Sequence, residues 1–533
     1  MNILKQHLFL DTIGCSRGGI LLDFDPERLT PDGRAVAESL MNEWNWPARY
    51  GTGYTKSILC PFGLTPEPEK PVITEPIWEP EPWDKLPLAY MSPMYDPDDG
   101  LYKLFYTAKF LLRLGEDISI TDAQGNPCPY NDRLCYAYSE NGRDWIRPEL
   151  PYYLCNGRKT NMLEMDLGMG TVFIDIHHRE TGKFKAFDPF WDETRDDLPG
   201  SQRVFTRLWG SDNGLDWYLI ESEPLNYFFD TQNVMNYDEE LGLYVAYFRG
   251  HYHGRSITRS ESEDPARMPM PVTIMHPDNF DPPDIDYYTN GFTIYPHDKS
   301  IRLLFPSCLS QQTDHTKLRM AVSRNGRNFQ WVSREYITGS SLPNGELVGS
   351  LYASPGMIAF GDQVAMIVWT SNIRHDEYRI TSAYDGTPEE QYGIKRVRLA
   401  LWERDRLAGF TSGEGIGETF IKVKINGTRP RLQLNLRSEG MGHVSAEVLT
   451  GQTGEPLVGY ALSDGDGLCG DLRWADYVWK DHADLSEFDG QEITLRFHLE
   501  SAKLFGFRIV TDDGDGTTQE KETERFASAL ETR

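Results

Sequence analysis

The chain has 533 residues, 39% hydrophobic and 25% charged, with 33 Pro and 47 Gly: enough for two or three domains, and rich in turns. Its formal charge of −28, from 81 acidic and 53 basic side chains, repels phosphate backbones and excludes a nucleic-acid partner. No apolar run approaches the roughly 18 residues of a membrane-crossing helix, so no membrane partner is expected.

The opening residues, MNILKQHLFLDTIG, place one Lys before a short apolar patch that Asp11 interrupts. That is a poor secretory leader, and the reading is a cytoplasmic protein. The seven Cys, at 15, 60, 128, 135, 155, 308 and 469, are odd in number and lack CxxC spacing, so they read as reduced thiols. The pattern PDGRAVAESLMNEW (31–44), with Pro31 near its start, predicts a helix. Residues 67–84 (EPEKPVITEPIWEPEPWD) are acidic and Pro-punctuated; they predict an extended segment in which Trp78 and Trp83 wall a pocket.

From Leu88 onward one plan repeats. An apolar strand ends in an Asp- or Gly-rich turn, an aromatic strand follows, and a third strand closes on a Ser-x-Asn-Gly type turn with an aromatic residue. The first unit runs from LAYMSPMYDPDDGLYKLFY to SENGRDW (Trp145), and the second from GTVFIDIHHRETGKFKAFD to SDNGLDW (Trp217). The third holds NVMNYDEELGLYVAYFR and a degenerate RSITRSESED; the fourth ends in SRNGRNF (Phe329), the fifth in WERDRLAGF (Phe410). Each unit takes about 50–65 residues, the length of a four-stranded propeller blade. In the closing turns the polar side chains bond nearby backbone and Gly takes positive φ, so Asn141, Asn213 and Asn325 read as scaffold. The same holds for Asp96, Asp175, Asp238 and Asp362 in the first-to-second strand turns. After about residue 415 short alternating strands (TFIKVKI, RLQLNLRS, HVSAEVLT) predict an antiparallel β-sandwich, and an acidic tail follows. The expected fold is all-β: an N-terminal segment (1–87) packed on the propeller, a five-bladed β-propeller (88–414), a β-sandwich (415–510) and a disordered tail (511–533).

The motifs CYAYSENGRDWIRPEL with Asn161, DTQNVMNYDEELGLYVAYFRG, RSITRSESED, DIDYYTNGFTIYP, LLFPS and the terminal LRFHLESAKLFGFRI carry a resemblance. Together, over roughly residues 8–508, the chain resembles bacterial proteins related to the five-bladed propeller glycosidases, the superfamily of invertases, fructanases and arabinanases. The resemblance implies a glycosidase acting on a carbohydrate. The nucleophile, Arg-Asp-Pro and Glu-Cys motifs of invertases are absent, so site residues have to be read from position.

Inner strands of a propeller ring one channel, and glycoside hydrolysis uses two carboxyl groups. The acids just before inner strands are Asp230 (DTQNV), Asp286 (DIDYYTN, with Asp284) and Glu346 (NGELVGSLYASPG). Asp230 and Asp286 are expected as nucleophile or base and stabiliser, and Glu346 as general acid. Arg249, His251, His253 and Arg255 in FRGHYHGRS, with Tyr288 and Asn290, are the expected sugar contacts. Neither His251 with His253 nor His177 with His178 has a third ligand at recognisable spacing, so no metal is expected, and no cofactor. A glycoside phosphorylase and a non-catalytic carbohydrate-binding propeller are the competing readings, with a lyase behind them. The sandwich is expected to act as a structural brace. A homo-oligomer is compatible with this composition.

Overall fold

The computed structural model describes residues 2–11, 19–22, 54–57, 62–84, 86–87, 90–109, 118–128, 132–165, 167–191, 203–225, 227, 230–342, 344–377, 393–449 and 455–512. The helix expected over 31–44 and nearly all of the acidic tail lie outside these residues. Two compact units form: 68–404, and 1–67 together with 405–533.

The first unit is a five-bladed β-propeller. Its blades start on the inner strands Ser92–Asp96, Thr171–Ile174, Val234–Asp238, Ile285–Tyr287 (continued by Thr293–Ile294) and Ser350–Ala353 (continued by Ile358–Phe360). The third blade is typical, with Val234–Asp238, Leu243–Gly250, Ser256–Ser262 and Val272–Met275 antiparallel in that order. Residues facing both neighbouring blades are apolar, so the second strands are buried almost throughout.

Each pair of neighbouring blades is stitched by a hydrogen bond. Val172 N–H donates to Ser92 Oγ (2.9 Å), Thr171 Oγ1 to Asn233 O (3.0 Å) and Gly291 N–H to Gln232 Oε1 (2.7 Å). Ala353 N–H reaches Ser307 Oγ (3.3 Å), and Tyr102 OH donates to Ala359 O (2.8 Å), which closes the ring from blade five to blade one. The ring is also closed by a strand. Blade five takes its outer strand, Val72–Ile73, from the segment before blade one, pairing Ile73 with Ala400 and Val72 with Leu401.

The repeated turns are the scaffold features their sequence implied. In SENGRDW, Asn141 Oδ1 accepts from Arg143 N and Asp144 N at 2.9 Å each, while Ser139 Oγ accepts from Gly142 N at 2.9 Å. Asn213 and Asn325 repeat this arrangement. A Cβ on Gly142 (φ +74°) would lie 2.7 Å from Phe360 of blade five, and one on Gly214 (φ +77°) 2.9 Å from Phe105 of blade one. So the glycine does two things: it permits the left-handed turn, and it lets each blade close on its predecessor.

The second unit holds a seven-stranded antiparallel sheet built on two long strands, Arg431–Leu449 and Glu492–Thr511. Their register breaks between Ser438 and His443, where both strands bend. Alternate residues on either side of the bend, among them Leu434, Val444, Phe497 and Phe507, join one core; the Phe497 and Phe507 rings lie 5.1 Å apart. The sheet therefore folds over itself as a sandwich.

The boundaries differ from the sequence expectation. Asn2–Leu8 pairs with Glu492–Thr511 in the sandwich sheet, whereas 68–84 belongs to the propeller, so 1–87 is no single segment. Ala408–Thr411, read as the end of blade five, also joins the sandwich sheet, because Asp405 (φ +61°) turns the chain out of the blade. Trp83 does not wall a pocket. It is buried, and its Nε1 donates to Asn161 Oδ1 (2.8 Å) on the flank of blade one, while Trp78 packs on Tyr106 (5.3 Å).

Candidate active site

Antiparallel pairing brings the start of each inner strand to the same end as the exit of its second strand, as Val234 opposite Tyr247, Ile285 opposite Ser310 and Ser350 opposite Ser371 show. One mouth of the propeller therefore collects residues from both kinds of position. Four blades meet there around Tyr288, in the break of the fourth inner strand.

Asp230 pairs with Arg249 Nη1. Arg249 is 2% exposed; its Nε and Nη2 donate to Tyr288 O at 3.2 and 2.8 Å, and its guanidinium lies over the Tyr288 ring at 4.0 Å. Arg255 approaches the same ring at 5.2 Å and grips Asp286 twice, Nη1 to Oδ2 at 2.6 Å and backbone N to Oδ1 at 2.9 Å. Gln311 Nε2 also donates to Asp286 Oδ2. The result is one chain of contacts: carboxylate, guanidinium, phenol, guanidinium, carboxylate. Gly254 makes the second clamp possible, since a Cβ there would sit 2.6 Å from Asp286 Oδ1.

The remaining expected residues fall into three groups. His251 is exposed at this opening, where desolvation and the Arg249 and Arg255 charges hold its imidazole below the usual range against the pull of Asp230 and Asp286. His253 (φ +52°) turns away to Tyr252 (4.3 Å) and His276 (5.7 Å). Asn290 is buried scaffold, with Nδ2 donating to Gln232 O (2.9 Å) and Oδ1 accepting from Phe292 N (3.0 Å). Glu346 has a partner of its own. Its Oε2 accepts from Arg398 Nη2 (2.8 Å) on the third strand of blade five. Among the described residues no hydrogen bond or ion pair joins it to the group around Tyr288.

The mouth also holds residues that a search for acids passed over. Thr231 Oγ1 donates to Tyr90 OH (2.6 Å); burial, Tyr288 and Asp230 push the Tyr90 phenol up, against Thr231 and Arg249. His375 stacks edge-on with Tyr288 (4.3 Å) and shares a hydrogen bond with Tyr352 OH through Nδ1. Burial holds His375 below its usual range, with Arg255 and Arg249 adding to it and Asp376 and Asp314 opposing. Tyr90 precedes its inner strand as Asp230 does, and His375 and Gln311 follow second strands as His251 does. That shared position is the signal that finds them. Among the described residues no three His, Cys, Asp or Glu side chains converge as a metal site.

No family model matches the chain, and no curated protein is significantly similar to it. Solved structures with a related outline include an N-acetylgalactosamine deacetylase from F. plautii in complex with blood group B trisaccharide (13% identity, 65% of this chain, 97% of that chain, TM-score 0.39). A family 117 glycoside hydrolase from Zobellia galactanivorans is similar at 14% identity (64% of this chain, 91% of that chain, TM-score 0.36). An alpha-L-arabinanase from Penicillium chrysogenum complexed with arabinobiose is similar at 10% identity (64% of this chain, 98% of that chain, TM-score 0.34). Identity this low leaves the residues of the mouth to be argued from their own geometry.

Proposed function

We propose that the chain hydrolyses a glycosidic bond in an oligosaccharide or glycoside at this mouth. The observation that carries the reading is that Asp230 and Asp286, from separate blades, are both tied through arginines to one tyrosine ring. Two carboxylates beside an aromatic face suit a sugar ring and the oxocarbenium-like charge that develops on it.

Their environments separate the roles. Asp286 is 7% exposed and accepts from three donors, so it is fixed and serves as electrostatic stabiliser. Asp230 has a side chain 48% exposed and only Oδ2 engaged by Arg249, which leaves Oδ1 for attack on the anomeric carbon or on its behalf through a water. Glu346 enters as proton donor on its position before the fifth inner strand. An aryl glycoside with a good leaving group needs no such proton. Glu346→Gln should therefore lose much more turnover on a natural oligosaccharide than on that aryl substrate.

A phosphorylase would need cations free to hold phosphate. Arg249 and Arg255 are instead each neutralised by an aspartate, which favours water as the acceptor. The deciding experiment is a screen of aryl glycosides and plant and microbial oligosaccharides, with and without phosphate. Asp230→Asn and Asp286→Asn should each lower turnover by about 10²- to 10⁴-fold. Full activity in both variants, or turnover only with phosphate, would overturn the reading.

A further inference from the structure

Lys395 is a cation that the proposed reaction does not use. It opens the third strand of blade five opposite Ser371, at the same end of the sheet as Ser350 and therefore at the mouth. Its ammonium lies 4.7 Å from the centre of the Trp369 ring and 3.4 Å from Ser371 Oγ. Among the described residues no carboxylate pairs with it. Desolvation alone pushes its pKa down to about 8.

Beside it sits an orphaned donor. Trp369 is 8% exposed, and its Nε1 has no hydrogen-bond partner. A buried indole N–H normally finds one, and leaving it unmet is costly. Trp369 stacks on Tyr352 (4.8 Å), which packs on Tyr288 (5.9 Å), so the pair adjoins the aspartate site through two aromatic rings. Tyr352 and Trp369 also share one core with Met91 and Tyr106 of blade one. A cation over an indole ring and an unmet N–H on that same indole lack one thing, an anion that accepts from both.

We infer that the mouth between blades five and one takes an anionic substituent of the sugar, a uronate carboxylate or a sulfate ester, bound by Lys395 and the Trp369 indole N–H. This rests on the glycosidase reading for its substrate class, yet it is tested by binding alone. Calorimetry on the full chain would compare methyl glucuronide and methyl galacturonide with methyl glucoside and galactoside, and glucose 6-sulfate with glucose. At least one anionic sugar should bind about ten-fold or more tighter than its neutral counterpart. A preference confined to the uronides, or to the sulfate, identifies the source of the charge.

Lys395→Met should erase that preference while its melting temperature stays at or above the wild-type value, and Lys395→Arg should keep it. The preference should also fade as pH rises through about 8, because the ammonium then loses its proton. Equal affinities, or a preference that survives Lys395→Met, would overturn the inference. Anion preference without turnover would sink the hydrolase and leave this subsite standing; turnover of neutral sugars without anion preference would do the reverse.

Discussion

Aspartates sit at both ends of the blades, and the two ends use them differently. At the first-to-second strand turns of blades one to three the carboxylate is buried and reaches forward to the next blade. Asp96 pairs with Lys183 (2.5 Å), Asp175 accepts from Tyr244 OH (2.8 Å), and Asp238 grips Arg302 through both oxygens (2.6 and 2.5 Å). At the mouth, Asp230 and Asp286 pair with arginines of the third blade that converge on the Tyr288 ring. The chemistry of the pairs is the same. What differs is that Asp230 keeps half of its side-chain surface to meet a ligand.

Substitutions at the two ends should therefore separate stability from turnover. Asp238→Ala leaves Arg302, 0% exposed, with only the more distant Glu240 carboxylate (3.6 Å) against its charge; denaturant unfolding should show a loss of about 3–5 kcal/mol. Asp230→Asn should cost less than that, about 1–2 kcal/mol, because the amide oxygen can still accept from buried Arg249 and Tyr288 O keeps holding the guanidinium. A large stability loss in Asp230→Asn would erase the distinction.

Two glycines sharpen the comparison. Gly214→Ala and Gly254→Ala both force a Cβ into positive φ (+77° and +90°) and into contact at 2.9 and 2.6 Å. Each should cost about 1–3 kcal/mol on thermal unfolding. Only Gly254→Ala should also lower kcat, since its methyl displaces the Asp286 carboxylate.

A pH test reads the scaffold end alone. Burial, with Arg404 adding and Asp362 opposing, lowers the His297 pKa from 6.5 to about 3 in the folded chain. The unfolded chain thus binds the extra proton first, so this group's contribution is intact above pH 6.5 and is lost as pH falls from 6.5 toward 3. Wild type should lose stability relative to His297→Gln over that window, and the difference between them should stop changing with pH above it. The smallest expected effect is Tyr244→Phe, which removes one hydrogen bond to Asp175 and should cost about 1 kcal/mol.

Much of the scaffold was legible because it repeats locally. A Ser-x-Asn-Gly turn needs only its own six residues to satisfy its hydrogen bonds, so three copies mark three blade closures in the sequence itself. Positions at the mouth were legible where an acid stood before an inner strand, as at Asp230 and Asp286. The same rule selected Glu346, whose carboxylate pairs with Arg398 on the third strand of blade five. It passed over Tyr90 and His375, which are not acids.

Local pattern, in the end, determined the all-β class, the repeat, the turn chemistry and the strand-edge positions of the two aspartates, since each depends on neighbours within a few residues. Tertiary structure alone decided that Val72–Ile73 completes the fifth blade, that Asn2–Leu8 joins the C-terminal sheet, and that Arg249 and Arg255 converge on one tyrosine. Those contacts join residues far apart in the chain. They form only when the ring closes and its buried donors and charges must find partners.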